Sequence, residues 1–168
     1  EDDEEKVLDA IGAAGSFAED ASTSETGFFL SDVSDTGFGS SVSIEGTIGD
    51  AVVASDGSIS YDVTVKLANS AEDTDEERTL SAPGKKAEEP STFMGFAITA
   101  PAGAAISKLS CDAASESDDE LSLYGTDAWA GTFSLGPGES ASFTYTVTLP
   151  AGADAALTLR MTPQPMAA

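Results

Sequence analysis

The chain has 168 residues, 30 of them acidic and 7 basic, for a formal charge of −23, and it contains no histidine. So few cations displace little counterion from a phosphate backbone, which excludes nucleic acid as a partner and sets the surface against anionic membranes. Without histidine the usual general base, the commonest metal ligand and the physiological pH switch are missing, and a single cysteine, Cys111, leaves no internal disulfide and no Cys-rich zinc site.

An apolar share of 40% is ordinary for a folded chain, and the length suits one domain with a real core. No run reaches the ~20 apolar residues of a membrane span. No basic start followed by an apolar stretch marks a signal peptide. The start at Glu1, without an initiator Met, leads to the expectation of a processed chain from which a secretion signal has been removed.

The acidic opening, residues 1–5, precedes Val7, Leu8, Ile11 and Ala14 on one helical face. Acids in a first turn suit the helix dipole, whereas Gly12 and Gly15 each oppose a helix by about 1 kcal/mol. The pattern predicts a short helix or a solvated tail. A polar linker over 19–26 completes this appendage, residues 1–26, ahead of a single domain over 27–168.

Strand character begins with Phe28, Phe29 and Leu30, and the turn-rich stretch 31–41 follows, broken by Asp35, Gly37 and Gly39. Val42, Ile44 and Thr47-Ile48 predict a second strand, and residues 51–54 a third. Asp56-Gly57 predicts a tight primed hairpin turn, because Gly readily takes positive φ. Ile59, Tyr61, Val63, Val65 and Leu67 then alternate with polar residues in the longest period-2 run of the chain.

Residues 69–90 lose all periodicity and carry an acidic run at 72–77, which predicts a long surface loop. Strand character resumes over 93–99, turns at Pro101-Ala102-Gly103 and continues over 106–111. A second acidic loop, 116–120, is predicted before Leu121, Leu123 and Tyr124. Trp129, Phe133 and Leu135 lead to residues 136–162. There Phe143, Tyr145, Val147 and Leu149 alternate with Ser and Thr, Pro150-Ala151-Gly152 breaks the run, and Leu157, Leu159 and Met161 alternate again. This predicts an antiparallel pair, apolar inward and polar outward, with 59–67 as its partner in the core. Short strands separated by Gly, Pro and Asp turns give an all-β fold class, an immunoglobulin-like antiparallel β-sandwich.

Three stretches carry a resemblance: residues 57–69, with a long alternating strand ending at Asn69; residues 124–129, Tyr-Gly-Thr-Asp-Ala-Trp; and residues 135–140, Leu-Gly-Pro-Gly-Glu-Ser. Together they resemble the telokin-like immunoglobulin-fold domains of bacterial secreted or surface lipoproteins, over roughly residues 28–163. The resemblance implies an exported interaction or accessory domain, and it brings no catalytic residues to carry over.

Among chemical candidates, the acidic stretches come first. Asp73, Asp75 and Glu76, with Asp118, Asp119 and Glu120, offer hard oxygens to Ca²⁺. The first group fails as an EF-hand loop, because Glu77 and Arg78 fill its fifth and sixth positions. A solvated acidic loop is the plainer account of both groups. Paired carboxylates suffice for glycoside hydrolysis, but nothing selects a pair and aromatics are few. Neither Gly-x-Ser-x-Gly nor Ser-x-x-Lys occurs, and Val42 stands where a dinucleotide fingerprint opened by Gly37 and Gly39 needs its third Gly. Leu149-Pro150-Ala151-Gly152 reads as a turn, because a sortase signal needs a Thr and an apolar anchor. A crosslink from Lys66 to Asn69 is disfavoured, since the two lie three apart on one strand with Lys66 on the polar face. Cys111, Trp129 and Tyr124 read as packing residues.

The expectation is therefore a non-enzymatic exported domain with a binding, adhesion or accessory role at the bacterial cell envelope, anchored by lipid or wall attachment through a segment outside these residues. No cofactor is expected, and the molecule should be a monomer without direct membrane insertion. Its partner is an unidentified protein or envelope ligand, cationic or neutral, meeting loops 69–90 and 116–127. The alternatives are a calcium-binding structural domain using the acidic loops and a carboxylate-dependent hydrolase. A further reading makes the charge an adaptation to high salt.

Overall fold

The computed structural model describes residues 24–32, 41–71, 93–113, 115–123, 126–153 and 156–162. Its regular structure there is β1 (Glu25–Asp32), β2 (Val42–Ile48), β3 (Val52–Val53), β4 (Ile59–Asn69), β5 (Phe93–Thr99), β6 (Ala105–Cys111), β7 (Ser115–Leu123), β8 (Thr126–Ser134), β9 (Ser140–Leu149) and β10 (Thr158–Met161). The anticipated helix or tail of residues 1–23 and most of the 69–90 loop lie outside the described residues.

Alternation decides which side chains meet. In β4 the odd positions from Ile59 to Asn69 are all buried and the even ones half-buried or exposed. In β9 Ala141, Phe143, Tyr145, Val147 and Leu149 are buried. The two strands pair antiparallel, with Tyr61 opposite Val147 and Val65 opposite Phe143, so their apolar rows lie on one face. The sheet order is β2-β4-β9-β6, and β3 continues the β2 edge along β4. The second sheet runs β10-β1-β5-β8-β7.

The two sheets pack face to face as a β-sandwich, and Phe143 is the clearest joint between them. Its ring centroid lies 5.1 Å from Phe28, 4.9 Å from Phe96 and 5.1 Å from Phe133, which stand on β1, β5 and β8 of the opposite sheet. All four rings are buried. Edge-on and tilted aromatic contacts of this kind add about 1 kcal/mol each beyond area burial.

The pairing of β9 with β4 agrees with the sequence expectation, but the pairing of β9 with β10 does not. β10 joins the other sheet, running parallel to β1 with Leu159 opposite Thr26 and Met161 opposite Phe28. The turn at Pro150-Ala151-Gly152 therefore carries the chain across the sandwich instead of closing a hairpin. Period 2 announces that a strand has a buried face; it does not say which sheet supplies the cover. Leu159 and Met161 close this side of the sandwich by lying over Gly46 of β2, where a Cβ would collide with the Leu159 methyl and stand 2.7 Å from the Met161 sulfur.

Two further expectations change. The acidic run 116–120 is strand, the body of β7, paired antiparallel with β8 along the edge of its sheet. Charged residues are common on edge strands, where they discourage pairing with another chain. The Asp56-Gly57 turn is a three-residue loop, not a two-residue one. Ala54 N–H donates to Ser58 O at 2.9 Å, Gly57 N–H donates to Ala54 O at 3.0 Å, and Gly57 has φ +85°. This is a tight turn followed by a glycine bulge, which places the positive φ one residue later than a primed turn does.

Candidate functional site

The carboxylates of the described residues hold the framework at specific points. Asp127 Oδ2 accepts Ile106 N–H at 3.0 Å, while the Asp127 carbonyl accepts Ala100 N–H at 2.8 Å. This stitches the β6 edge to the opposite sheet. Asp112 Oδ1 accepts Ser142 N–H at 2.6 Å, and Glu139 Oε2 accepts Gly136 N–H at 2.7 Å within the Pro137-Gly138 turn. Asp56 Oδ1 accepts both the Ser58 hydroxyl at 2.7 Å and Ser58 N–H at 3.0 Å. These bonds, the hydroxyl first, hold the Asp56 carboxyl below its ordinary pKa. Charge-assisted bonds to backbone N–H groups are among the stronger ones, so these acids secure turns and strand edges.

Three buried polar side chains are similarly committed, whereas the buried Trp129 Nε1 and Tyr145 hydroxyl have no hydrogen-bond partner. The Thr26 hydroxyl donates to Thr99 O at 2.9 Å. Asn69 Nδ2 donates to Leu135 O at 3.2 Å, and its Oδ1 accepts Ala71 N–H at 3.0 Å. Thr146 Oγ1 donates to Asp62 Oδ1 at 2.7 Å. Asn69 thus ties the end of β4 to the segment entering β9. Its amide is engaged and Lys66 is exposed, which leaves the disfavoured crosslink without geometry.

Of the sequence-nominated calcium ligands, Asp73, Asp75 and Glu76 lie outside the described residues. Asp118, Asp119 and Glu120 occupy consecutive positions of β7, opposite Gly131, Ala130 and Trp129 of β8. Among the described residues no group of three or more Asp, Glu or Cys is placed to hold a metal. Cys111 is half-buried against the core, and desolvation pushes its thiol pKa up, the reverse of an activated thiolate. Trp129 also packs against the core, and Tyr124 lies outside the described residues.

The surface feature that stands apart is the β3 edge. Val52 and Val53 are each 66% exposed. They get there because β2 follows β4 as far as Ile48 opposite Val63, Gly49 N–H donates to Asp62 O at 2.8 Å, and the chain rejoins β4 at Val52 opposite Ser60. Ala54 N–H is directed at Ser58, just before β4. In an antiparallel edge strand alternate residues direct their N–H and C=O groups to opposite sides, so the peptide groups of Val53 point away from the sheet. Asp50 and Asp56, both exposed, flank the pair.

The β6 and β7 edges carry protection. β6 has a register break between Ser107 and Ser110, with Lys108 at φ +57°, and Asp127 covers its Ile106 N–H. β7 bears the acidic run. Bulges, charges and covering segments are the usual ways of blunting a sheet edge. β3 is only two residues long, and both are β-branched and apolar. Sequence reading found this strand but not its exposure, because two residues are too few for alternation to show a buried side. The nearest signal was the acidic bracket of Asp50 and Asp56 around an apolar pair. Comparison with family models, with curated proteins and with solved structures gives no match to this chain.

Proposed function

We propose that this chain is a non-enzymatic exported domain with a binding, adhesion or accessory role at the bacterial cell envelope, built on an immunoglobulin-like sandwich. The observation that carries the binding role is the exposed Val52-Val53 pair on an edge strand of a well-packed scaffold. Large exposed apolar side chains at an unsatisfied strand edge favour contact with another polypeptide. Thr26, Asn69 and Thr146, three of the buried polar side chains, are engaged in structural hydrogen bonds.

The immunoglobulin-like class draws support from two face-packed sheets joined by repeated crossings. A jelly-roll grouping is the second reading of the topology. It is favoured by a crossing at every connection except those within β2-β3-β4 and between β7 and β8.

Fractionation of the source cells with an antibody to this chain tests the placement. Recovery in the envelope or the medium is expected, and recovery only with the cytoplasm overturns it. The calcium-binding structural domain is the other functional class, resting on the acidic stretches alone. Melting with and without millimolar Ca²⁺ separates the two, because a ligand that binds only the folded state raises the melting temperature. The expected result is no shift.

A further inference from the structure

We propose that the place β10 fills beside β1 is a strand-accepting site, and that the strand it accepts in trans is β10 of a second copy of this chain. The inference goes beyond the binding role of the β3 edge and does not depend on it.

The first support is how lightly β10 is held. It is an edge strand of four residues, all half-buried or exposed, and it pairs with β1 alone. Parallel pairs are slightly less stable per residue than antiparallel ones. Around the ladder, Thr158 N–H donates to Ser24 O at 2.8 Å, Thr162 N–H to Phe28 O at 3.1 Å, and Leu30 N–H to Thr162 Oγ1 at 2.7 Å. By contrast, β9 lies between two neighbours and buries Ala141, Phe143, Tyr145, Val147 and Leu149. The Pro150-Ala151-Gly152 turn, closed by Ala153 N–H on Pro150 O at 3.1 Å, separates the two strands, so β10 can part from β1 without disturbing β9. Segments with few buried apolar side chains open at a lower free energy than the core, and they open as a unit.

The second support is the shape of the site, and it decides the occupant. Departure of β10 bares the Leu30 N–H and the Ser24 and Phe28 carbonyls, and it uncovers Gly46. A side chain at Gly46 would take the space of the Leu159 methyl and the Met161 sulfur. The site is thus cut for two bulky apolar side chains two residues apart, with a hydroxyl one residue later for the Leu30 N–H. Between the apolar pair a cation meets Glu25, where Arg160 stands at 3.9 Å. Leu159-Arg160-Met161-Thr162 supplies all four features, and no other stretch of the chain has Leu, a cation, Met and Thr in that order. Exchange of an identical strand needs no new contact, because each bond made in trans replaces the same bond made in cis. What opposes it is the charge of −23 on each copy, a repulsion that salt screens.

Hydrogen exchange of the unmodified chain, labelled with nitrogen-15, reads the opening. Leu30 and Thr162 should share one opening free energy, with protection at least about a hundredfold below that of the β4–β9 ladder. Trapping reads the occupant. In a Cys111→Ser background, a Glu25→Cys chain is mixed with a Thr158→Cys chain in a glutathione redox buffer. Residues 25 and 158 are register partners across β1 and β10, within reach of a disulfide. Cross-linked heterodimer should exceed either homodimer by about tenfold, because the site holds the two positions together, and its share should rise with salt. A blocked peptide with the sequence of residues 156–163, at roughly millimolar concentration to rival a tethered strand, should suppress the heterodimer. The same peptide with Leu159→Asp and Met161→Asp should not.

Exchange of Leu30 and Thr162 only together with the β4–β9 ladder would overturn the proposal, because β10 then does not open on its own. Heterodimer no more abundant than the homodimers would overturn it as well, since collision alone then accounts for the cross-links. Equal suppression by the two peptides would mean that the space over Gly46 does not select the strand, and the proposal would fall. None of these outcomes bears on recovery of the chain in the envelope, so the cellular placement stands or falls separately.

Discussion

The Tyr145 hydroxyl lies beside that of Thr26 inside the sandwich without completing a hydrogen bond, and Thr26 itself donates to Thr99 O at 2.9 Å. Tyr145 projects from the β4–β9 sheet and Thr26 from β1, so the contact spans the two layers. Burial pushes the Tyr145 pKa up to about 12, with the Thr26 hydroxyl acting weakly in the opposite direction. A phenol that must remain neutral to stay folded sits at the centre of the domain.

This makes the fold sensitive to alkali. An unfolded Tyr loses its proton near pH 10, whereas folded Tyr145 retains it to about 12. Over that window the unfolded state binds fewer protons than the folded one, so stability falls as pH rises. The contribution is intact below pH 10 and declines by roughly 3 kcal/mol through pH 12. Urea unfolding at pH 8 through 12 should show the decline, and Tyr145→Phe should remove it. The same variant should gain about 1 kcal/mol at pH 8, because it deletes a buried hydroxyl that has no bond to lose.

Phe143→Ala should be among the most damaging single changes, costing about 4 kcal/mol in urea unfolding. It removes the ring that contacts Phe28, Phe96 and Phe133 together. Val53→Ala, at an exposed site, should stay within about 0.5 kcal/mol.

Asp127→Ala should cost about 1–2 kcal/mol, because it leaves the Ile106 N–H of an edge strand without its carboxylate. Amide exchange should accelerate at Ile106 first. Asp127→Asn, whose side-chain oxygen still accepts, should recover most of the loss.

Asp56 should titrate below its ordinary value in the folded protein, and Ser58→Ala should move it back up, because the Ser58 hydroxyl is the larger of its two partners. A group depressed in this way supports the fold above its unfolded pKa, and the support is lost as pH falls through the folded value. Carbon-13 carboxyl titration of both proteins reads the shift directly.

How much of this was legible in the sequence depends on distance along the chain. β4 was readable because eleven residues of period 2 need no partner to be recognised, and its pairing with β9 followed from two matching apolar rows. The transfer of β10 to the other sheet was not readable. Its four residues alternate equally well beside β9 or beside β1, and the choice depends on Gly46 leaving room for Leu159 and Met161. β7 was hidden for another reason: Glu116, Asp118, Asp119 and Glu120 have poor strand propensity, and pairing with β8 overrides it. At the candidate site, the strand and the turn after it were visible. The outward direction of Val53 was not, since it depends on which neighbour takes the Ala54 N–H.

The parallel alignment of β1 with β10 has a mechanical consequence. Glu25 stands beside Thr158 and Phe28 beside Met161, so the chain enters this strand pair at one end and leaves it at the other. Tension between the flanking segments pulls the two strands in opposite directions along their length. The interstrand bonds, slanted across a parallel pair, are then loaded together and resist by shear instead of opening one at a time from an end. The Arg160–Glu25 ion pair, 3.9 Å apart, bridges the same two strands. Resistance to pulling is governed by the rate of unfolding, and here that rate would be set by a four-residue seam between the first strand and the last.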